Sequence, residues 1–338
     1  MARTYLDWNA TTPLRPEARA AMTLAMDVVG NPSSVHQEGR AARGLLERAR
    51  GQVAAALGAE GADVVFTSGA TEACAMALAG RGFVCSGVEH DAVSAWCDVG
   101  AEAEPARTAL QLANSETGIV QDLPEGLGFS DLTQGFGKLP VAFNWLGCQM
   151  GAVSAHKLGG PKGVGALVLR QGLEVAPVLR GGGQEMGRRA GTENLIGIAG
   201  FGAAAEAAAR DLANGVWDRV AEVRKTLNQA LAALGFDTIS VGNSARTLPN
   251  TICLIAPHWK GETQVMAMDL AGFAVSAGSA CSSGKVKASR VLKTMGYSDD
   301  LAGQAIRISL GPDVTEEQVL RFAEVWGREY RRVLTRRG

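Results

Sequence analysis

The sequence predicts an α/β protein in two domains. Short apolar runs that read as strands alternate with segments whose apolar residues recur at helical spacing. Glycine, 43 of 338 residues, is spread along the chain rather than collected in one linker, which fits many tight turns between such elements. A chain of 338 residues with 46% apolar content is long and apolar enough for two cores. The larger domain is expected over 15–213. The smaller is expected over 214–338, joined by the N-terminal segment 1–14, because shorter strands set in after residue 236.

Residues 1–14 read as an extended lead with a turn at Pro13, and a helix starts at Pro16, where proline is tolerated. GNPSSVHQEGRAAR (30–43) is a turn cluster feeding a helix, with Leu45, Leu46, Ala49, Val53 and Leu57 on its buried face. His36 lies among turn residues and reads as structural. Val64–Phe66 is a strand, TSGATE (67–72) a sharp turn, and 71–80 a helix. Strand, small-residue turn and helix together present open backbone N–H groups to a phosphate, with Ala70 and Thr71 as the contacts. Many such turns bind nothing.

Phe83–Ser86 is the next strand, and His90 follows its end, where ligands of open α/β sheets collect. His90 is either structural or an imidazole stacked on a flat ring. ANSETGIVQD (113–122) is again a polar strand end. SDLTQGFGKLPV (130–141) carries Asp131 and Gln134, which suit a pyridine nitrogen and a phenolic oxygen, or equally a helix cap and a solvated side chain. Residues 164–170 form a strand. The glycine-rich stretch 179–194, with Arg180, Arg188 and Arg189, is expected to be a long flexible loop of functional origin. Helices follow over about 194–213 and 215–234, strands over 237–241 and 249–256, and a helix over 261–272. The loop opening 275–296 places Cys281 among Ser, Ala and Gly, a setting open between an inert thiol and a reactive one. Arg307 sits on an otherwise apolar strand, 305–311, which asks for a carboxylate partner. An amphipathic helix from Thr315 ends the chain.

Lys157 lies in SAHKLGGPKG (154–163). A lysine becomes a covalent handle for an aldehyde only when it sheds its proton, which burial and neighbouring cations favour. Ser154 and His156 are two apart and point to one side of an extended chain, suited to an anion, while Lys157 points elsewhere. An amine for an aldehyde beside a cradle for a phosphate is what pyridoxal phosphate needs. The alternative is a surface lysine in a loop.

Composition narrows the function classes. A net charge of −1 gives no reason to expect nucleic acid or an anionic membrane as partner. No apolar run is long enough to span a bilayer, and MARTYLDWNATT lacks the apolar stretch of a secretion signal. The six cysteines show neither CxxC spacing nor a cluster with His, so no metal is expected and a reducing cytoplasmic setting is.

These stretches together resemble the cysteine desulfurases of the NifS/IscS type, within the class V aminotransferases. The matching segments are YLDWNATTP, GNPSSVHQEGRAAR, TSGATE, VEH, ANSETG, DLTQ, SAHKLGGPKG, GGGQEMGRRAGTEN, SAGSACSSG and AIRISLG, in the family's order. The resemblance implies the fold-type-I pyridoxal phosphate fold: a mostly parallel sheet flanked by helices, plus a smaller α+β domain. It implies that Lys157 forms the Schiff base, His90 stacks on the ring, Asp131 pairs with its nitrogen and Gln134 bonds its phenolic oxygen. Thr71, Ser154 and His156 would hold the phosphate, and Thr192 would reach it from the other subunit of a homodimer. Arg307 would grip the carboxylate of L-cysteine, with Asn114 also near the substrate. Cys281 would take the sulfur as a persulfide, release alanine, and pass the sulfur to an acceptor protein for iron–sulfur clusters or thiolation. Two other readings stay open: another class V reaction, such as selenocysteine lyase or aminotransferase, and a trimmed relative that needs a partner or does no chemistry. The chain departs from the family at Ser115, where asparagine is usual and contacts cofactor and substrate. It departs at Met186, where arginine is usual, and in the shortened spans 91–112 and 123–130. The missing parts are expected to be peripheral strands and helices, leaving an edge for a partner to cover.

Overall fold

The computed structural model describes residues 3–100, 103–278 and 288–336. The chain forms two compact units. One comprises Thr12–Ala113 and Gln121–Asn214; the other comprises the residues up to Thr11, Asn114–Val120, and those from Gly215 onward.

In chain order, β1 (Thr4–Tyr5) leads to α1 (Pro16–Met26), with Pro16 in the first turn. α2 (Gln37–Ala56) is capped by His36, whose ring nitrogen accepts from the Gly39 N–H. It buries Ala42, Leu46, Ala49 and Val53 on one face. β2 (Asp63–Thr67) runs into α3 (Ala70–Leu78), followed by β3 (Phe83–Cys85) and the single turn α4 (Asp91–Ser94). Then come β4 (Cys97–Val99), β5 (Thr108–Gln111), β6 (Leu127–Asp131), β7 (Cys148–Ser154) and β8 (Gly165–Leu169). α5 (Leu195–Ala213) and α6 (Val216–Ala233) precede β9 (Ile239–Val241), β10 (Thr251–Ile255) and α7 (Gly261–Leu270). β11 (Phe273–Ala274), β12 (Ser276–Ala277), α8 (Arg290–Thr294), α9 (Asp299–Ala302), β13 (Ala305–Ser309) and α10 (Glu316–Thr335) complete the order.

The first of these units is built on a seven-stranded sheet in the order β2-β8-β7-β6-β5-β3-β4. Only β8 runs against the rest. The carboxyl ends of β2, β7, β6, β5, β3 and β4 therefore share one edge of the sheet. α3 covers one face, packing Cys74, Met76 and Leu78 over Phe83, Phe129 and Leu167. Burying a side chain such as Leu78 contributes about 1.5–3 kcal/mol. α5 packs with α1 and α2, and its Phe201 ring meets Phe66 of β2 edge-on at 6.3 Å. α5 approaches closely because it is built from small residues: a Cβ on Gly202 would lie 2.8 Å from the Ala49 Cα.

The parallel strands of this sheet are joined by short connections. Parallel strands are usually joined by a helix and a dozen or more residues. Among the described residues, the only helical turn between β4 and β5 is the three-residue 3-10 turn Pro105–Arg107. The link from β6 to β7, outside the shortened spans, has Phe143–Trp145 as its helical turn. β4 is an edge strand, opposite β2, and Asp98 and Val99 on it are exposed.

The other unit holds the antiparallel sheet β12-β13-β10-β9 and the parallel pair β1-β11. Residues 114–120 join this unit through the Ile119–Thr247 bridge and the Val120 N–H, which donates to the Arg246 carbonyl. Gly118 (φ 75°) makes the approach possible: a Cβ there would lie 2.7 Å from the Thr251 Cβ. α10 starts with a reciprocal Thr315–Gln318 capping box and buries Val319, Phe322, Ala323, Trp326 and Tyr330. Trp259 stacks on Tyr330 at 5.8 Å. Gln264, wholly buried, accepts from the Trp326 indole and donates to the Trp259 and Gln304 carbonyls. Among the described residues no helix is long and apolar enough to cross a membrane.

Candidate active site

The sequence-picked residues of the larger sheet gather on its carboxyl edge because of register. Thr67 of β2 and Ser154 of β7 both pair with Gly165 of β8. The turn after β2, which starts α3, therefore lies beside the Ser154 strand end. A Cβ on Gly165 would lie 2.7 Å from the Gly69 Cα and 2.5 Å from the Val153 oxygen, so only glycine lets the two backbones meet. A Cβ on Gly69 would lie 3.9 Å from Ser154 Oγ. The first-turn N–H groups of a helix have no partner within it, and Ala70 and Thr71 are the first two residues of α3.

Lys157 ends the 3-10 turn Ala155–Lys157, directly after β7. Three contacts fix this turn. Thr12 donates to the His156 carbonyl through both N–H and Oγ1, each at 3.0 Å. Arg15 Nε donates to the Leu158 carbonyl at 2.8 Å, and Arg15 is itself paired with Asp211. Burial, aided by the charges of Lys157 and Lys162, pushes the His156 imidazole down to about 4, so it is neutral at pH 7.

One strand over, Asp131 ends β6, opposite Ala152 of β7 and Gln111 of β5. Its Oδ1 accepts from the Thr133 N–H at 2.9 Å. Gln134 is buried, and its Oε1 accepts from Lys138 Nζ at 2.7 Å. His90 caps α4: its Nδ1 accepts from the Ala92 N–H at 3.1 Å, which places the ring proton on Nε2 and sets the ring's orientation. Glu89, just before it, is 1% exposed. Burial chiefly, with the charge of Asp131, pushes its carboxyl up to about 8 against hydrogen bonds from the Gln111 backbone and Ser86.

In the other unit, Arg307 lies buried on β13. Its Nη2 reaches Asp7 at 2.7 Å and Ser276 Oγ at 3.2 Å, and its Nη1 donates to the Ser115 carbonyl at 2.9 Å. Asp7 is the carboxylate that an apolar strand around a guanidinium calls for. Asn114 Oδ1 accepts from the Glu116 and Thr117 N–H groups, closing its own turn. Ser115 takes part through its main-chain carbonyl, which also accepts from Asn9 Nδ2 at 3.3 Å. Cys281 lies outside the described residues.

The aminotransferase class-V family model matches residues 4–107 and 103–322, nearly the whole chain. The chain belongs to the aminotransferase class-V family. Among its relatives, a cysteine desulfurase of Cereibacter sphaeroides is 38% identical over 372 positions, covering 96% of this chain and 95% of that protein. The cysteine desulfurase IscS of Dictyoglomus turgidum is 35% identical, covering 93% of this chain and 91% of its own length. An X-ray structure of a NifS-like protein from Rickettsia africae superposes with a TM-score of 0.87 at 28% identity, covering 97% of this chain and 99% of that one. The fold is thus the fold-type-I arrangement of NifS-like enzymes. The alignment with the Cereibacter protein is longer than this chain's 338 residues, so that relative carries segments lacking here.

Within this family frame, the stretch 179–194 departs from the expected flexible loop. Glu185, buried at φ 48°, accepts from Arg50 Nη1 and Nη2 at 2.8 and 3.0 Å and from the Phe66 N–H at 2.8 Å. Arg188 pairs with Asp63 and Glu174, and Arg189 with Glu72. Ion pairs tie the segment to the sheet, and these two arginines are used in doing so. Thr192 within it is exposed. Glu89 and Lys138 escaped the sequence reading. The only signal for Lys138 was its place four residues after Gln134, and for Glu89 its place beside His90.

Proposed function

We propose that the chain is a pyridoxal phosphate-dependent cysteine desulfurase, converting L-cysteine to L-alanine with an enzyme persulfide as the sulfur carrier. The observation that carries this is the shared sheet edge: Lys157 and Ser154 at the end of β7, the start of α3 beside them, and Asp131 at the end of β6. These residues fit the cofactor. The Gly69–Gly165 approach brings the N-terminus of α3 beside Ser154, whose Oγ, with a neutral His156, would add donors for a phosphate. Asp131 would hold the pyridine nitrogen, Gln134 the phenolic oxygen, His90 the ring face, and Lys157 the aldehyde carbon. Bound there, the cofactor supplies an electron sink for the substrate's α-carbon.

The chain's own groups do the rest. Arg307, with its fork oriented by Asp7 and the Ser115 carbonyl, would bind the substrate carboxylate. The Lys157 amine, displaced by the substrate's, would move the α-proton. The Cys281 thiolate would bond to the substrate sulfur as the C–S bond breaks, leaving the electron pair with the carbon skeleton, which is protonated to alanine. Buried thiols elsewhere suit this poorly. Burial pushes Cys148 to about 11 and Cys253 to about 12, and holds Cys74 well above its ordinary value. Exposed Thr192 is suited to reach a second copy's phosphate in a homodimer. A cytoplasmic setting and an acceptor protein for iron–sulfur clusters or thiolation complete the proposal.

Purified protein given L-cysteine and a thiol reductant should release equal sulfide and alanine, and Cys281→Ser should abolish sulfide release. Borohydride reduction should tag Lys157. Turnover that ignores Cys281→Ser but needs Lys157 would point instead to a selenocysteine lyase-like or aminotransferase chemistry. Protein that takes up no cofactor would point to a non-catalytic relative.

A further inference from the structure

Lys138 is 2% exposed, an uncommon fate for a lysine. It sits in the tight turn after β6, where the Lys138 and Leu139 N–H groups both donate to the Gly135 carbonyl, at 3.0 and 2.9 Å. Packing holds that turn: a Cβ on Gly135 would lie 2.6 Å from Leu112 Cδ2, and Gly137 (φ 77°) lies against Ala208 and Leu158. From this fixed base Nζ donates to Gln134 Oε1 at 2.7 Å. An amide oxygen only accepts and an ammonium only donates, so the Gln134 amide cannot be turned round without setting donor against donor. Its NH₂ must face away from Lys138.

We propose that Lys138 is a positioning residue for the cofactor: it locks the Gln134 amide so that the NH₂ group is presented to the phenolic oxygen of pyridoxal phosphate. This rests on the cofactor reading above. Without the lock, no ammonium on that side opposes a turned amide, whose oxygen would repel a phenolate. A donor on the phenolic oxygen draws negative charge away from the adjacent lysine–cofactor link. Losing it leaves more charge to hold the link's proton, so the link titrates at higher pH.

The test is titration of apo-protein with pyridoxal phosphate, followed by reading the visible band from pH 6 to 10. Wild type, Lys138→Met, Gln134→Leu and the double variant are compared. Each single variant should weaken cofactor binding roughly tenfold, the loss of one hydrogen bond, and move the pH midpoint up. The double variant should be no worse than Gln134→Leu, because Lys138 acts through Gln134. An unmoved midpoint in Lys138→Met, even with lowered thermal stability, overturns the proposal, as do additive effects. Should Lys138→Met not fold, Gln134→Glu keeps a partner for Lys138 while setting an oxygen against the phenolic oxygen. It should bind the cofactor more weakly than Gln134→Leu, and wild-type behaviour in it also overturns the proposal. Wild type that gains no visible band refutes the cofactor reading and the role of Lys138 with it. Wild type that binds beside an unchanged Lys138→Met refutes the role of Lys138 alone.

Discussion

Glu89→Gln should flatten the pH dependence of the larger unit's stability. The side chain is 1% exposed beside Asp131, and its carboxyl titrates at about 8 rather than at 4.5. The folded state therefore holds this proton more tightly than the unfolded chain does. Stability from Glu89 is fully present below the ordinary value. It falls as pH rises through the window from 4.5 to about 8, and is then level. The full window, 8 − 4.5 = 3.5 units, corresponds to at most about 5 kcal/mol at 1.36 kcal/mol per unit. By pH 7 the span crossed is 7 − 4.5 = 2.5 units, about 3.4 kcal/mol. Glutamine has nearly the same shape, keeps an acceptor oxygen and cannot ionise. The variant should match wild type near pH 4.5 and exceed it by up to about 3 kcal/mol at pH 7. Unfolding of the apo-protein, followed by circular dichroism from pH 5 to 9, reads this directly. Every other titrating group is common to both proteins and drops out of the difference. If the two proteins lose stability in parallel between pH 5 and 8, Glu89 is ionised in the folded state and the reasoning fails.

Glu185→Ala leaves the Phe66 N–H without its acceptor and takes two hydrogen bonds from the half-buried Arg50 guanidinium, which keeps Glu47; it should cost about 2–4 kcal/mol, seen as a lowered Tm. Gly311→Ala would place a Cβ 1.9 Å from Trp8 Cε2 and should destabilise the smaller unit by about 1–3 kcal/mol in a urea titration. Arg307→Lys replaces a fork that bonds Asp7, Ser115 and Ser276 with a point charge, and should raise KM for L-cysteine roughly tenfold or more. An unchanged KM would remove Arg307 from substrate binding.

The local parts of this protein were legible in its residues. Helix faces, the His36 turn and the α3 start all depend on spacing along the chain, which covalent geometry carries into the fold. The extended geometry expected for Ser154–His156 ends at Ser154: His156 and Lys157 lie on a 3-10 turn, held there by Thr12 and Arg15 from far along the chain. The sequence also marked Arg307 on an apolar strand, and Asp131 and Gln134 as either ring contacts or a helix cap and a solvated side chain, but not their partners. Asp7 and Arg307 are 300 residues apart, and Glu185 meets Arg50 across 135. No local pattern encodes such pairs; they form only when the packed chain brings both ends to one place. Sheet register decided the rest, setting Thr67 and Ser154 on either side of Gly165 and turning six strand ends to one edge. The lock of Lys138 on Gln134 is of the same kind: the spacing was visible, but burial, which gives the contact its force, belongs to the folded state alone.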